Sequence, residues 1–305
     1  MKNFLFVTLL LVLTLISAGQ TTPISPSESE IIYGRKDGLA MTMVKHTPDV
    51  ASNHRAIVWV VSGSWYSSYN QRPGSQKLKQ LMDRGYTVFE VIHGSQPKYN
   101  IEDAIADLQR AVRYIRYNAS TFGIDPAHIG VSGASAGGHL SLLVGLEDGT
   151  GNAASTDPIN RESAKVQAVA VFFPPTDFTM WGGIKDPFSI PGLLKANNVV
   201  GAFDFKTWDS SSRVYTSIKD PKLVAEHAKN VSPAYYVTND DPPVFIYHGD
   251  KDHVVPLSQS QELVQKLREV KVPVEIKIKP GGDHGWPGQW QELNLFADWF
   301  DKYLR

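Results

Sequence analysis

Short continuous apolar runs alternate along this chain with stretches of helical spacing. Ala56 to Val61 is apolar at every position and β-branched at four, as in a strand buried on both faces. Leu39 to Val44, Tyr86 to Ile92, Ile129 to Val131, Val166 to Phe173 and Val244 to His248 predict further strands. Val274 to Ile278 alternates apolar with charged residues, the pattern of a sheet edge. Between them, Ile101, Ala104, Ile105, Leu108, Ala111, Val112 and Ile115 mark one face of a helix over residues 100–118. Acidic residues in its first turn and basic ones in its last suit the helix dipole. Leu78 to Met82, the stretch from Leu140, Leu257 to Val270 and about Trp290 to Tyr303 predict the other helices. This alternation predicts an α/β fold, a mostly parallel central sheet with helices on both faces.

The alternation lapses between about residues 178 and 231. Gly182, Gly183, Pro187, Pro191 and Gly192 break it, and Trp181, Phe188, Phe203, Phe205, Trp208 and Tyr215 crowd the segment with aromatic rings. An excursion this long inside a domain predicts an insertion after the sixth strand, either a cap over a site or a decoration with its own small core. At the other end, residues 1–19 have one Lys, an apolar run and small residues to follow, the layout of a secretory signal with cleavage after Ala18 or Gly19. The apolar run is shorter than the ~20 residues of a spanning helix. Residues 20–30, polar with Pro23 and Pro26, read as a linker, leaving 31–305 as one domain in a secreted or periplasmic protein.

Composition adds mainly exclusions. Lys plus Arg is 30 against 31 for Asp plus Glu, and loss of Lys2 with the signal leaves 29 − 31 = −2, a balance that points to neither nucleic acid nor anionic membrane as partner. With no cysteine, the domain rests on its core rather than on disulfides.

The candidate chemistry centres on Gly133-Ala-Ser135-Ala-Gly137, set between the strand at Ile129 and the helix at Leu140. A strand–turn–helix of this kind presents Ser135 above the sheet at a helix N-terminus, where free N–H groups favour negative charge. A turn of small residues that merely opens a helix would look the same in isolation. A serine hydroxyl needs a base and usually an orienting acid, found in this fold class on loops after later strands in the order Ser, acid, His. Of nine histidines, only His284 lies beyond the last predicted strand, in a Gly-rich loop. His139, His248 and His253 fit supporting roles better. Asp250 and Asp252 both follow the strand ending at His248, and the residues alone do not separate them; Asp283 is too close to its neighbour's ring to orient it. For an oxyanion the expected donors are the N–H of Ala136 and those of Gly63, Ser64 and Trp65, in the loop after Val61. No metal or organic cofactor is implied.

Taken together, Asn118 to Pro126, Gly133 to Leu140, Asp241 to Val244, His248 to Pro256 and Gly282 to Trp286 resemble the α/β-hydrolase superfamily. The branch is that of secreted esterases, similar to prolyl-oligopeptidase catalytic domains and to bacterial feruloyl and acetylxylan esterases. The resemblance spans about residue 33 to the C-terminus and implies Ser135 as nucleophile, Asp252 as acid and His284 as base. One departure stands out: relatives usually carry a His-Gly-Gly-Gly-Trp type sequence where this chain has Val61-Ser-Gly-Ser-Trp65. The expected activity is hydrolysis of a small-molecule or carbohydrate carboxylic ester, acetylated or feruloylated carbohydrate being the candidates. A peptidase of the oligopeptidase kind ranks second, because those enzymes gate entry with a propeller domain for which 305 residues leave no room. A catalytically silent binding module ranks third, supported only by the altered Ser62-Gly63-Ser64 loop.

Overall fold

A computed structural model of the chain describes residues 27–181 and 199–305. Eight strands form one sheet in the order β1-β2-β4-β3-β5-β6-β9-β10. These are β1 (Glu28–Lys36), β2 (Leu39–His46), β3 (Ala56–Val61), β4 (Thr87–Ile92), β5 (Ile129–Ala134), β6 (Ala168–Phe172), β9 (Val244–Gly249) and β10 (Val274–Lys279). β1 pairs antiparallel with β2 and β2 with β4; the remaining pairs are parallel. The expected α/β-hydrolase fold is thus present, with β10 at the sheet edge as its alternation predicts.

The strands sort their side chains by pleat. Val58, Val60, Val91, Val131, Val169, Val171 and Ile246 bury against α3 (Ile101–Tyr117), α5 (Ala136–Leu146) and α7 (Leu257–Glu269) on one face. Ile57, Trp59, Val61, Ala170, Phe172 and Tyr247 bury on the other, against α2 (Lys79–Met82) and α8 (Leu293–Tyr303). Two further helices, α1 (Gly74–Lys77) and α4 (Ala119–Phe122), have four residues each. α3 starts at a capping box: Asn100 Oδ1 accepts the Asp103 N–H and Asp103 Oδ2 accepts the Asn100 N–H. Such a cap contributes about 1 kcal/mol.

Two sequence boundaries need correction. Residues 28–30, assigned to the linker, belong to β1, an edge strand too polar for hydropathy to reveal; it is held by pairing from Glu28↔His46 onward. The last helix begins at Leu293, because residues 288–292 are used in turns such as Gln291 N–H to Gly288 C=O. The signal assigned to residues 1–19 lies outside the described residues, as does most of the linker.

The described part of the insertion contains β7 (Lys206–Asp209) paired antiparallel with β8 (Val214–Ser217), followed by α6 (Pro221–Asn230). Its aromatic residues divide into two groups. Phe178 and Phe203 pack on each other and on Trp65, with centroids 4.9 to 5.7 Å apart. Trp208 and Tyr215, by contrast, are 52% and 68% exposed. Phe188 lies outside the described residues.

At the C-terminus of α5, burial pushes the Glu147 carboxyl up to about 7; the Gln109 amide donates to it at 3.0 Å and only partly offsets this. A raised acid binds a proton on folding, so its contribution to stability is complete below about pH 4.5 and is lost as pH rises through about 7. Glu147→Gln removes that dependence. The Tm of the variant relative to the wild type is expected to rise by about 2 °C between pH 5 and pH 8. A constant offset across that range would remove Glu147 as its source.

Candidate active site

β5 lies at the middle of the sheet, so whatever follows it emerges at the centre of the rim formed by the carboxyl ends of the parallel strands. Ser135 follows it with φ 55° and ψ −122°, a strained conformation for a residue with a side chain. The small neighbours explain how the turn is accommodated. A Cβ on Gly133 would sit 2.5 Å from the Gly137 backbone, and one on Gly137 would sit 2.7 Å from the Val60 carbonyl oxygen. Strand and helix therefore approach to a distance that only glycine permits. The Ser135 N–H is anchored on the Phe172 carbonyl at 3.0 Å, and α5 starts at Ala136.

His284 and Asp252 come to this point from two other loops. Nε2 of His284 lies 2.8 Å from Ser135 Oγ, and its Nδ1 lies 2.8 Å from Asp252 Oδ2. Asp252 Oδ1 accepts the N–H groups of Val254 and Val255, each at 2.8 Å, and Oδ2 also faces His248 Nε2 at 3.3 Å. Burial by itself would raise this carboxyl. Hydrogen bonds from His248 and His284, the adjacent imidazole and the Val255 N–H outweigh it and hold Asp252 well below the usual carboxylate range. An ionised Asp252 accepts only, so His284 carries a proton on Nδ1 and presents the Nε2 lone pair to the Ser135 hydroxyl.

The other candidates take separate places. Asp250 Oδ1 accepts the Gly281 N–H at 2.7 Å and is not at the imidazole. Asp283 Oδ1 accepts the N–H groups of His284 and His253, at 2.7 and 3.0 Å, and its other oxygen pairs with the His253 ring. These two carboxylates fasten the His284 loop to the Asp252 loop. His248 is buried, with Nε2 donating to the Val255 carbonyl and Nδ1 on Ser260 Oγ. Phe173, which sequence reading treated only as the end of a strand, sits at φ 34° with its ring 4.4 Å from that of His284. Its unusual backbone is the only local sign of that role, and no sequence pattern reveals it.

The loop after β3 differs in part from expectation. Ser64 and Trp65 have φ 52° and 55° and form the centre of a tight turn in which Gly63 and Tyr66 exchange both backbone hydrogen bonds, at 2.9 and 3.0 Å. Gly63, expected among the donors, has therefore committed its N–H to Tyr66. Among the described residues, the N–H groups of Ser64, Trp65 and Ala136 have no acceptor. Two neighbours hold the turn in place. Gln96 donates its backbone N–H to the Trp65 carbonyl and its side-chain amide to the Ser64 carbonyl. Trp65 Nε1–H donates to His139 Nδ1 at 3.0 Å, and His139 Nε2–H donates to the Val231 carbonyl at 2.7 Å. Burial pushes His139 down to about 4, so it is neutral and its tautomer is fixed by these two partners. Among the described residues no group of three or more His, Cys, Asp or Glu side chains could hold a metal ion, and no helix is long and apolar enough to cross a membrane.

The chain is 26% identical over 257 residues to the probable carboxylic ester hydrolase LipM of Mycobacterium tuberculosis, covering 83% of this chain and 54% of that protein. It is 25% identical over 304 residues to an acetylxylan esterase of Xylanibacter ruminicola, covering 99% of this chain and 52% of the other. The chain thus spans about half the length of the curated relatives it matches. Among solved structures, a truncated carbohydrate esterase from gut microbiota shares the fold with a TM-score of 0.66 at 24% identity, covering 92% of this chain and 98% of that one. The BD-FAE family model matches residues 44–267, a span that includes the Ser135 turn and the Asp252 loop, and this chain belongs to that family.

Proposed function

We propose that this protein is a serine carboxylic-ester hydrolase in which Ser135, His284 and Asp252 act as one unit. The observation that carries the reading is the 2.8 Å spacing on either side of the His284 ring, with the hydroxyl on a strained turn at a helix N-terminus. Ser135 Oγ attacks the ester carbonyl carbon as its proton passes to His284 Nε2, and Asp252 stabilises the imidazolium. The negative oxygen of the tetrahedral species is held by the Ala136 N–H together with that of Ser64 or Trp65. Collapse expels the alcohol, which takes the proton from His284. Water, deprotonated by the same imidazole, then attacks the acyl-enzyme, releasing the acid and restoring Ser135.

Acetylated or feruloylated carbohydrate is the proposed substrate, a reading supported by relatives named as acetylxylan esterase and carboxylic ester hydrolase. Secretion through residues 1–19 fits a polymer met outside the cell. The insertion is read as a cap, supported by Phe178 and Phe203 leaning on the Trp65 ring beside the turn. A fluorophosphonate probe is expected to label the native protein once, on the peptide containing Ser135. An ester panel of acetylated xylan, methyl ferulate and p-nitrophenyl acyl chains of increasing length then ranks the acyl groups. Labelling elsewhere, or none, would overturn the mechanism; turnover of p-nitrophenyl esters but of neither carbohydrate-linked ester would overturn the substrate.

A further inference from the structure

On the same rim as Ser135, the loop after β4 leads into a cleft of about 660 Å³, within the size range of ligand-binding clefts. One wall is formed by Tyr99, Asn100 and the first turn of α3, the other by the β7–β8 ribbon through Lys206 and Tyr215. The ribbon's register places Lys206 opposite Ser217 and Trp208 opposite Tyr215. Directly paired residues, and residues two apart, share a face in a sheet. Trp208 therefore lies on the same face as Lys206 and Tyr215, the face that lines the cleft, with its ring 5.0 Å from that of Tyr215.

These two rings do not serve a core. Seven of the eight ribbon residues are exposed, while Phe178, Phe203 and Phe205 form the insertion's packing. Among its described residues the cleft presents three lysines and four carboxylates, several of them mutually paired, as in Lys36–Asp103 at 2.9 Å and Lys206–Asp204 at 3.0 Å. A surface so nearly neutral does not select an ion, and among the described residues its only aliphatic lining is Pro97 and Ala106, too little for a protein-docking groove. It is dense in hydrogen-bond donors and acceptors beside exposed rings. That chemistry suits a neutral polyhydroxylated chain, whose hydroxyls bond to amides and carboxylates while its C–H faces stack on aromatic rings. The cleft also adjoins the support of the Ser64–Trp65 turn. Pro97, one of its lining residues, follows Gln96, whose backbone and side chain hold the Ser64–Trp65 turn.

We infer that Trp208 and Tyr215, with the adjoining cleft, bind the main chain of a polysaccharide away from the ester being cleaved. The inference rests on the reading of the protein as a carbohydrate-ester hydrolase and adds a polymer-binding surface to it. In a Ser135→Ala background, mobility in a native gel cast with acetylated xylan is expected to be retarded, and adding Trp208→Ala with Tyr215→Ala to remove most of that retardation. With Ser135 intact, the same pair is expected to leave p-nitrophenyl acetate turnover within about twofold while kcat/KM on acetylated xylan falls about tenfold. Trp208→Phe with Tyr215→Phe keeps the rings and is expected to restore both polymer readouts, which separates loss of stacking from loss of the ribbon. Unchanged retardation with an unchanged polymer rate overturns the inference. Equal losses on both substrates also overturn it, making the ribbon structural, and a change from dimer to monomer on substitution would assign the surface to a second copy of the chain. If Ser135→Ala still hydrolyses esters, the catalytic reading falls while the gel comparison still decides on the polymer surface.

Discussion

Ser135→Ala is expected to lower kcat on p-nitrophenyl acetate by roughly 10⁴-fold or more while leaving the Tm within about 2 °C. The two halves of this expectation have different causes. The rate falls because no other hydroxyl takes the 2.8 Å position on His284 Nε2 in the described structure. The fold persists because alanine keeps the Cβ that the φ 55° backbone already accommodates, and because the turn is anchored by Ser135 N–H to the Phe172 carbonyl and by His139 N–H to the Ser135 carbonyl, all main-chain groups. Kinetics and a thermal melt on the same preparation check both halves. A variant retaining more than about a tenth of the wild-type rate would exclude Ser135 from the bond-forming step.

Asp252→Asn carries the second large effect, a fall of about 10³- to 10⁴-fold in kcat at neutral pH. An amide cannot accept the Nδ1 proton in the way a buried carboxylate does, and its NH₂ group favours the ring tautomer with the proton on Nε2, where the serine proton must go. The same change at Asp250 is the control. That carboxylate meets the Gly281 N–H and not the ring, so Asp250→Asn is expected to stay within about threefold of wild type. Comparable losses at both positions would mean that loop geometry, rather than the group on Nδ1, sets the rate.

What was legible in the sequence follows from how far each signal acts. The buried strands and α3 were read closely because apolar periodicity is imposed by the sheet faces they pack on. Ser135 and His284, which the structure brings within 2.8 Å, stand out in the sequence because local turn chemistry and position after a strand both constrain them. Asp250 and Asp252 could not be separated from residues alone. Both follow the same strand two positions apart, and what distinguishes them is the route of the loop, which turns Oδ1 of Asp252 onto the Val254 and Val255 N–H groups and leaves Oδ2 for His284. Backbone freedom singles out Gly63 among the expected donors Gly63, Ser64 and Trp65, yet the left-handed positions fall on Ser64 and Trp65, residues that carry no such signature. β1 was hidden by its polar composition, because an edge strand is held mainly by backbone pairing. The aromatic residues of the insertion were visible as a group, but only the structure reveals that two of them, paired across β7 and β8, are exposed.

His139 occupies a position with a consequence for how this architecture can diversify. One uncharged ring accepts the indole N–H of Trp65 on one side and donates to the Val231 carbonyl on the other, joining the turn after β3 to the end of α6. The end of the excursion between β6 and β9 is therefore tied to the turn after β3. On the proposed mechanism, any change that moves the Val231 carbonyl acts through His139 and Trp65 on the turn that would hold the oxyanion, so substrate preference and rate are expected to shift together in descendants of this sequence.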